Sequence, residues 1–156
     1  MKSIATACAA CAALSAFEAG AEDYATKVWL NPGLQSYHLN RSNDYREDNI
    51  GFGAEFVVAP DHGLLAGNYI NSNNERSQYA GYHWRALHWR PYGVNLSAGP
   101  VFSMINGYSN MRDGGWFPAV MPALSAEYGL YGANITFIPN SKNGSAVAFQ
   151  LKLLIW

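Results

Sequence analysis

The stretch Ser145-Ala146-Val147-Ala148-Phe149-Gln150-Leu151-Lys152-Leu153-Leu154-Ile155-Trp156 decides the fold class. Val147, Phe149, Leu151, Leu153 and Ile155 recur at period two, so they share one face of an extended segment. Trp156 falls on the other face with Lys152, and alternation alone leaves the lipid-facing side of this strand open. A strand of this kind closing on an aromatic residue is the expected last stave of an outer-membrane β-barrel from a Gram-negative cell.

The opening of the chain agrees. Lys2 precedes a mostly small, apolar run over 4–17, and Ala19-Gly20-Ala21 supplies a small-x-small site. Residues 1–21 read as a secretory signal peptide cut before Glu22, too short and alanine-rich for a transmembrane helix. Cys8 and Cys11 both lie inside it, so the exported chain is expected to hold neither disulfide nor thiolate metal site. The remainder divides into a short N-terminal segment, 22–32, and a barrel, 33–156. In the short segment Tyr24, Val28 and Trp29 would pin a turn to the membrane surface. Charged residues make up 13% of the chain, about half the usual share. A soluble surface is rarely so bare, whereas a barrel's outer band faces lipid. A net charge of -1 with no polybasic tract excludes a nucleic-acid partner. Four scattered histidines form no metal motif, and neither a metal nor a soluble cofactor is expected.

Glycines and prolines punctuate the exported chain into eight strands, near 33–42, 50–59, 63–72, 77–89, 94–105, 117–127, 131–138 and 145–156. Pro60-Asp61-His62, Arg90-Pro91-Tyr92-Gly93 and Tyr128-Gly129 are tight turn signals, while 43–49, 73–76, 106–115 and 140–144 are longer or more polar. Short turns at one end and larger loops at the other mark an eight-stranded antiparallel transmembrane β-barrel, all-β, with both chain ends on the short-turn, periplasmic side. Tyr37, Tyr69, Tyr79, Trp84, Trp89, Tyr92, Tyr108, Trp116, Phe117, Tyr128 and Tyr131 lie near strand ends, as interface girdles do.

Three polar groups stand out. His38 and Asn71-Ser72 fall at the same predicted rim, and a histidine near a serine can act as general base in acyl transfer. The plainer reading, an interface histidine and a turn serine, stands beside it. Tyr45-Arg46-Glu47-Asp48, with Arg41 and Asp44, is a solvated loop, a set of charges that orders the rim, or a place for lipid phosphates. In His83-Trp84-Arg85, His83 and Arg85 share a face, and an inward Arg85 needs a carboxylate such as Glu55 or Glu127.

Residues 35–156 resemble the outer-membrane lipid A palmitoyltransferase family. The blocks that carry the likeness are Tyr37-His38, Asp44-Tyr45-Arg46-Glu47, Gly63-Leu64-Leu65-Ala66 leading to Asn71-Ser72, Ala80-Gly81-Tyr82-His83-Trp84 through Trp89-Arg90-Pro91, Met121-Pro122-Ala123-Leu124-Ser125 with Tyr128-Gly129, and Ile135-Thr136-Phe137-Ile138-Pro139 with Asn143-Gly144. The resemblance implies transfer of an acyl chain from the sn-1 position of a phospholipid to lipid A, with the tail inside the barrel. His38 would activate the acceptor hydroxyl, Ser72 would place the reacting groups, and Asn71 would orient His38. Arg41 or Arg46 would hold lipid phosphate, and His83 would meet the acyl tail. Two positions depart from the family. Asn71 stands where the family has aspartate, and His83 where it has a glycine at the floor of the acyl pocket. Proline donates no ladder hydrogen bond, so Pro122 and Pro139 either merely begin or end strands or, as the resemblance implies, open the wall for sideways lipid access. Expected partners are phospholipid and lipopolysaccharide, and the barrel-assembly machinery during insertion; a monomer is expected. The competing class is a non-enzymatic surface barrel that kept the scaffold.

Overall fold

Inward and outward residues alternate along the strands, and that period of two builds a wall with an apolar outside and a mixed inside of small, polar and some apolar side chains. The computed structural model describes residues 24–140 and 144–156; the signal-peptide reading of 1–21 lies outside them. Among the described residues the strands are β1 (Lys27–His38), β2 (Asp48–Ala59), β3 (His62–Ile70), β4 (Arg76–Trp84), β5 (Leu87–Trp89), β6 (Asn95–Ile105), β7 (Phe117–Tyr128), β8 (Tyr131–Ile138) and β9 (Ala146–Leu154). All pairings are antiparallel. β1 bonds to both β2 and β9, which closes the ring. β4 and β5 pair with β6 in succession and form a single stave interrupted at Arg85-Ala86. The result is the expected eight-stave barrel, in which each stave pairs with a neighbour on both sides along part of its length.

Strand β9 settles the face that alternation left open. Ala146, Ala148 and Lys152 are buried in the lumen, while Phe149, Leu151 and Leu153 are exposed on the outside. Phe52, Phe56, Leu64, Phe102, Leu124 and Ile135 continue the outer belt. At the short-turn end it is rimmed by Trp84, Trp89, Tyr92, Tyr128, Tyr131 and Trp156, all exposed. The aromatic expectation needs one correction. Tyr69, Tyr79, Tyr108 and Phe117 line the interior instead of an outer girdle.

The first strand also differs from its expected bounds. It begins at Lys27, not at 33, because Lys27 to Asn31 already pair with Val57 to Gly53 of β2. Trp29 does not lie on the membrane surface. It is 1% exposed inside the barrel, with the Lys152 ammonium 4.9 Å from its ring centre. A register shift at Pro32-Gly33, seen against both neighbours, hides the pattern. Trp29 and Asn31 face inward before the shift, and Ser36 and His38 after it, so the inward set changes from odd to even numbers. Gly33 has φ +104, and a Cβ there would stand 2.5 Å from the Asn49 carbonyl oxygen. Only glycine fits that position without strain.

The lumen has two halves. Near the short turns it is filled by a bonded polar cluster. Lys152 Nζ donates to Glu55 Oε2 and Glu127 Oε1, each at 2.8 Å, and to Ser125 Oγ at 2.9 Å. Arg85, buried as expected, donates through Nη2 to Glu127 Oε1 at 2.9 Å and through Nε to Ser97 Oγ at 2.8 Å. Buried charges are tolerable only when paired in this way. Nearer the long loops the lumen is hollow, with Val101, Ile105, Met121 and Ala123 beside polar Ser36, Asn49 and Tyr69 on its wall.

Candidate active site

The hollow half is a cavity of about 790 Å³ running from the long-loop rim into the barrel. Val101, Ile105, Met121 and Ala123 form its apolar flank, packed with Leu65, Tyr79, Tyr108, Phe117 and Ile138. Such a lining suits hydrocarbon. Its floor is different in kind. His83, 2% exposed, directs Nδ1 to within 3.7 Å of Glu55 Oε1. His83 Nε2, Glu55 Oε1, Asn134 Oδ1 and Asn31 Oδ1 are buried and lack hydrogen-bond partners among the described residues.

The cavity also has a side opening. β7 pairs with β8 only from Ala123↔Thr136 down to Tyr128↔Tyr131, whereas it pairs with β6 along 117–127. Among the described residues the upper part of β7 is therefore unpaired on its β8 side, and Pro122 sits at the limit. Pro139 follows the top of β8 and lines the cavity, as does outward-facing Val120.

At the rim, the last residue of β1 is His38, 8% exposed and lining the cavity. The loop 39–47 folds back over it. Tyr45 packs its ring 4.6 Å from the imidazole, and Glu47 accepts the His38 backbone N–H through Oε1 at 3.0 Å. The same carboxylate oxygen lies 3.6 Å from His38 Nδ1 and is paired with Arg41. The Glu47 carboxyl is held below the usual carboxylate range, first by that backbone N–H and then by Arg41. Ser72 lines the same cavity, and its carbonyl accepts the Arg46 N–H at 3.0 Å. That bond ties the loop over His38 to the chain segment carrying Ser72, so the structure brings these two residues to one rim.

Asn71 does not join them. Its side chain is fully buried, and Oδ1 accepts the N–H groups of Asn73 (2.9 Å) and Glu75 (3.0 Å). Its Nδ2 donates to Ser77 Oγ (3.0 Å) and the Gly107 carbonyl (2.9 Å). That bonding capacity is fully committed to the β3–β4 turn and its neighbouring loop. The expected role of orienting His38 is therefore corrected: Asn71 shapes the turn that presents Ser72. The two arginines are also engaged. Arg41 pairs with Glu47 and stacks on Tyr37, its guanidinium 4.9 Å from the ring centre, and Arg46 pairs with Asp48 at 3.1 Å. A lipid phosphate would have to share or displace those carboxylates. In the sequence, Glu47 is only one member of a polar loop. No pattern of spacing shows that the loop folds back onto His38.

Comparison with known proteins agrees with the barrel fold. The family model described as "Antimicrobial peptide resistance and lipid A acylation protein PagP" matches residues 18–152. A lipid A acyltransferase PagP of Laribacter hongkongensis is 31% identical over 129 residues, covering 78% of this chain and 59% of that protein. A lipid A acyltransferase PagP of Pantoea ananatis is 32% identical over 95 residues, covering 56% of this chain and 46% of its own. The chain thus spans less than two thirds of the length of these curated relatives. With the matched region running through nearly every stave of the barrel and both rim segments, the chain belongs to the PagP family of lipid A acylation proteins.

Proposed function

We propose that this protein transfers a fatty acyl chain from a phospholipid to lipid A in the outer membrane. The observation that carries the reading is His38, a buried imidazole at the mouth of a deep cavity whose flank is apolar, in a chain of the lipid A acylation family. The donor's acyl tail lies in the cavity, reaching it through the gap between upper β7 and β8. His38 takes the proton from the lipid A hydroxyl. The resulting alkoxide attacks the donor ester carbonyl, a new ester bond forms, and the old one breaks. The lysophospholipid leaves with the proton returned by His38. Ser72 helps place the reacting groups at the rim. General base catalysis of this kind contributes about 10²- to 10⁴-fold.

The floor sets the tail. His83, Glu55 and Asn134 line the end of the cavity, so a methyl end that reaches it meets polar side chains in place of hydrocarbon. The preferred donor chain is therefore shorter than one that reaches the floor.

The test is lipid A mass spectrometry from a Gram-negative host that lacks its own lipid A palmitoyltransferase and expresses this protein. An added acyl mass, absent with His38→Ala, is the expected result and reports the chain length directly. Unchanged lipid A, with folded barrel in the outer membrane, would overturn the reading and favour the non-enzymatic surface barrel.

A further inference from the structure

We infer that Glu47 is the positioning residue for His38: its carboxylate holds the imidazole with Nδ1 turned toward the β1–β2 loop, which leaves Nε2 as the nitrogen offered to the cavity. This rests on the acyl-transfer reading for its meaning but not for its geometry.

Four observations converge on it. His38 Nδ1 is buried and has no hydrogen-bond partner among the described residues. The carboxylate oxygen facing it is Glu47 Oε1, at 3.6 Å, a few tenths of an ångström beyond a formed bond. Catalytic hydrogen bonds are often this long before substrate binds. Glu47 is not a loose surface carboxylate. Its oxygen is fixed by the His38 backbone N–H at 3.0 Å and by Arg41, and its own carbonyl accepts the Ser36 N–H at 2.8 Å. Tyr45 lies against the ring and limits its rotation. Finally, the side chain that stands next to Ser72, Asn71, is wholly engaged in its turn and has nothing left for the imidazole.

The chemistry comes from the two nitrogens of imidazole. A carboxylate beside one of them keeps the proton there, fixes the tautomer and stabilises the imidazolium that forms when the other accepts a proton. An amide in the same place accepts the backbone N–H equally well but carries no charge, and its NH₂ group can drive the ring into the wrong tautomer. Removal of such a carboxylate has cost up to about 10⁴-fold in turnover in another enzyme family. With a half-exposed, arginine-shared carboxylate a smaller effect is expected, about 10- to 100-fold.

Glu47→Gln is therefore the informative variant, because it preserves the loop-closing acceptor and removes only the charge. The full-length protein, refolded in detergent micelles with a phospholipid donor and lipid A, is expected to lose about 10- to 100-fold in kcat with KM for phospholipid changed less than about twofold. Glu47→Asp should recover part of the loss. A purely structural Glu47 predicts wild-type kcat for Glu47→Gln, and that result, beside an inactive His38→Ala, would overturn the inference while leaving acyl transfer standing. If the wild type transfers no acyl chain, the proposed function fails and the inference is decided by ring-nitrogen NMR of ¹⁵N-histidine-labelled protein. His38 should carry its neutral-state proton on Nδ1 in the wild type and shift toward Nε2 in Glu47→Gln. An unchanged tautomer would overturn it. Should Glu47→Gln fail to fold, Glu47→Asp carries the same ring-nitrogen comparison, with a mixed tautomer expected and an unchanged one overturning the inference.

Discussion

Individual side chains at the rim act differently from what their identities imply. The family resemblance points to an aspartate at position 71, and restoring one looks like a repair. The structure says otherwise. Asn71→Asp would keep the two accepted N–H bonds but set a carboxylate oxygen against the Gly107 carbonyl, where an NH₂ now donates. We expect no gain in activity and a loss of about 1–3 kcal/mol, read as a lower midpoint in denaturant unfolding from micelles. His83→Gly should act on the product: the added acyl mass on lipid A should move to longer chains, and an unchanged mass would show that His83 does not limit the tail. The carboxylate of Glu47 gives a pH prediction with a definite sign. Its folded value lies below the ordinary one, so the order it lends to the loop over His38 is complete above about pH 4.3, the unfolded glutamate value. That order is lost as pH falls through the lower, folded value. The His38 backbone N–H resonance, donor to Glu47, should report the transition, and Glu47→Gln should abolish it.

At the level of strands and loops, what is legible in the chain and what is not divides along physical lines. Eight staves, their order and the alternation of turns and loops come from local turn chemistry and the period of two, both of which are written in neighbouring residues. The bulge at Pro32-Gly33 is not legible, because it exchanges the inward and outward faces midway along one strand without leaving the strand pattern. For the same reason Trp29 passes for a surface anchor. The bond from loop 39–47 to His38 is hidden because loop closure depends on contacts distant in sequence. The bulge itself carries a prediction. Gly33→Ala places a Cβ against the Asn49 carbonyl at a φ that L residues rarely adopt. The barrel should still form, since the pairings among the other staves are untouched, but β1 beyond the bulge should lose register and His38 its inward position. The expected outcome is a heat-modifiable, folded barrel on a gel with acyl transfer reduced at least about tenfold; wild-type activity would show that the shift is not what aims His38.

For the molecule as a whole, stability and hollowness are kept apart. The cavity half forgoes packing contacts, and the short-turn half compensates with a cluster in which Lys152 joins two carboxylates from different staves. Lys152→Met would remove the ammonium shared by Glu55 and Glu127, leaving His83 beside the first and Arg85 beside the second. Removing one partner from a buried ionic cluster costs about 3–5 kcal/mol, so this variant should unfold at markedly lower denaturant in micelles; an unchanged midpoint would mean the charges relax or protonate without penalty. The same cluster has a further consequence for the cell. A barrel open at one rim and at one flank would be a leak if it were a tube. Bonded side chains from β2, β7, β9 and the break in the β4–β5 stave fill it partway, so the described residues make a cup with a bonded base, and a solute that wanders in at the open rim meets charge-paired side chains in place of a channel.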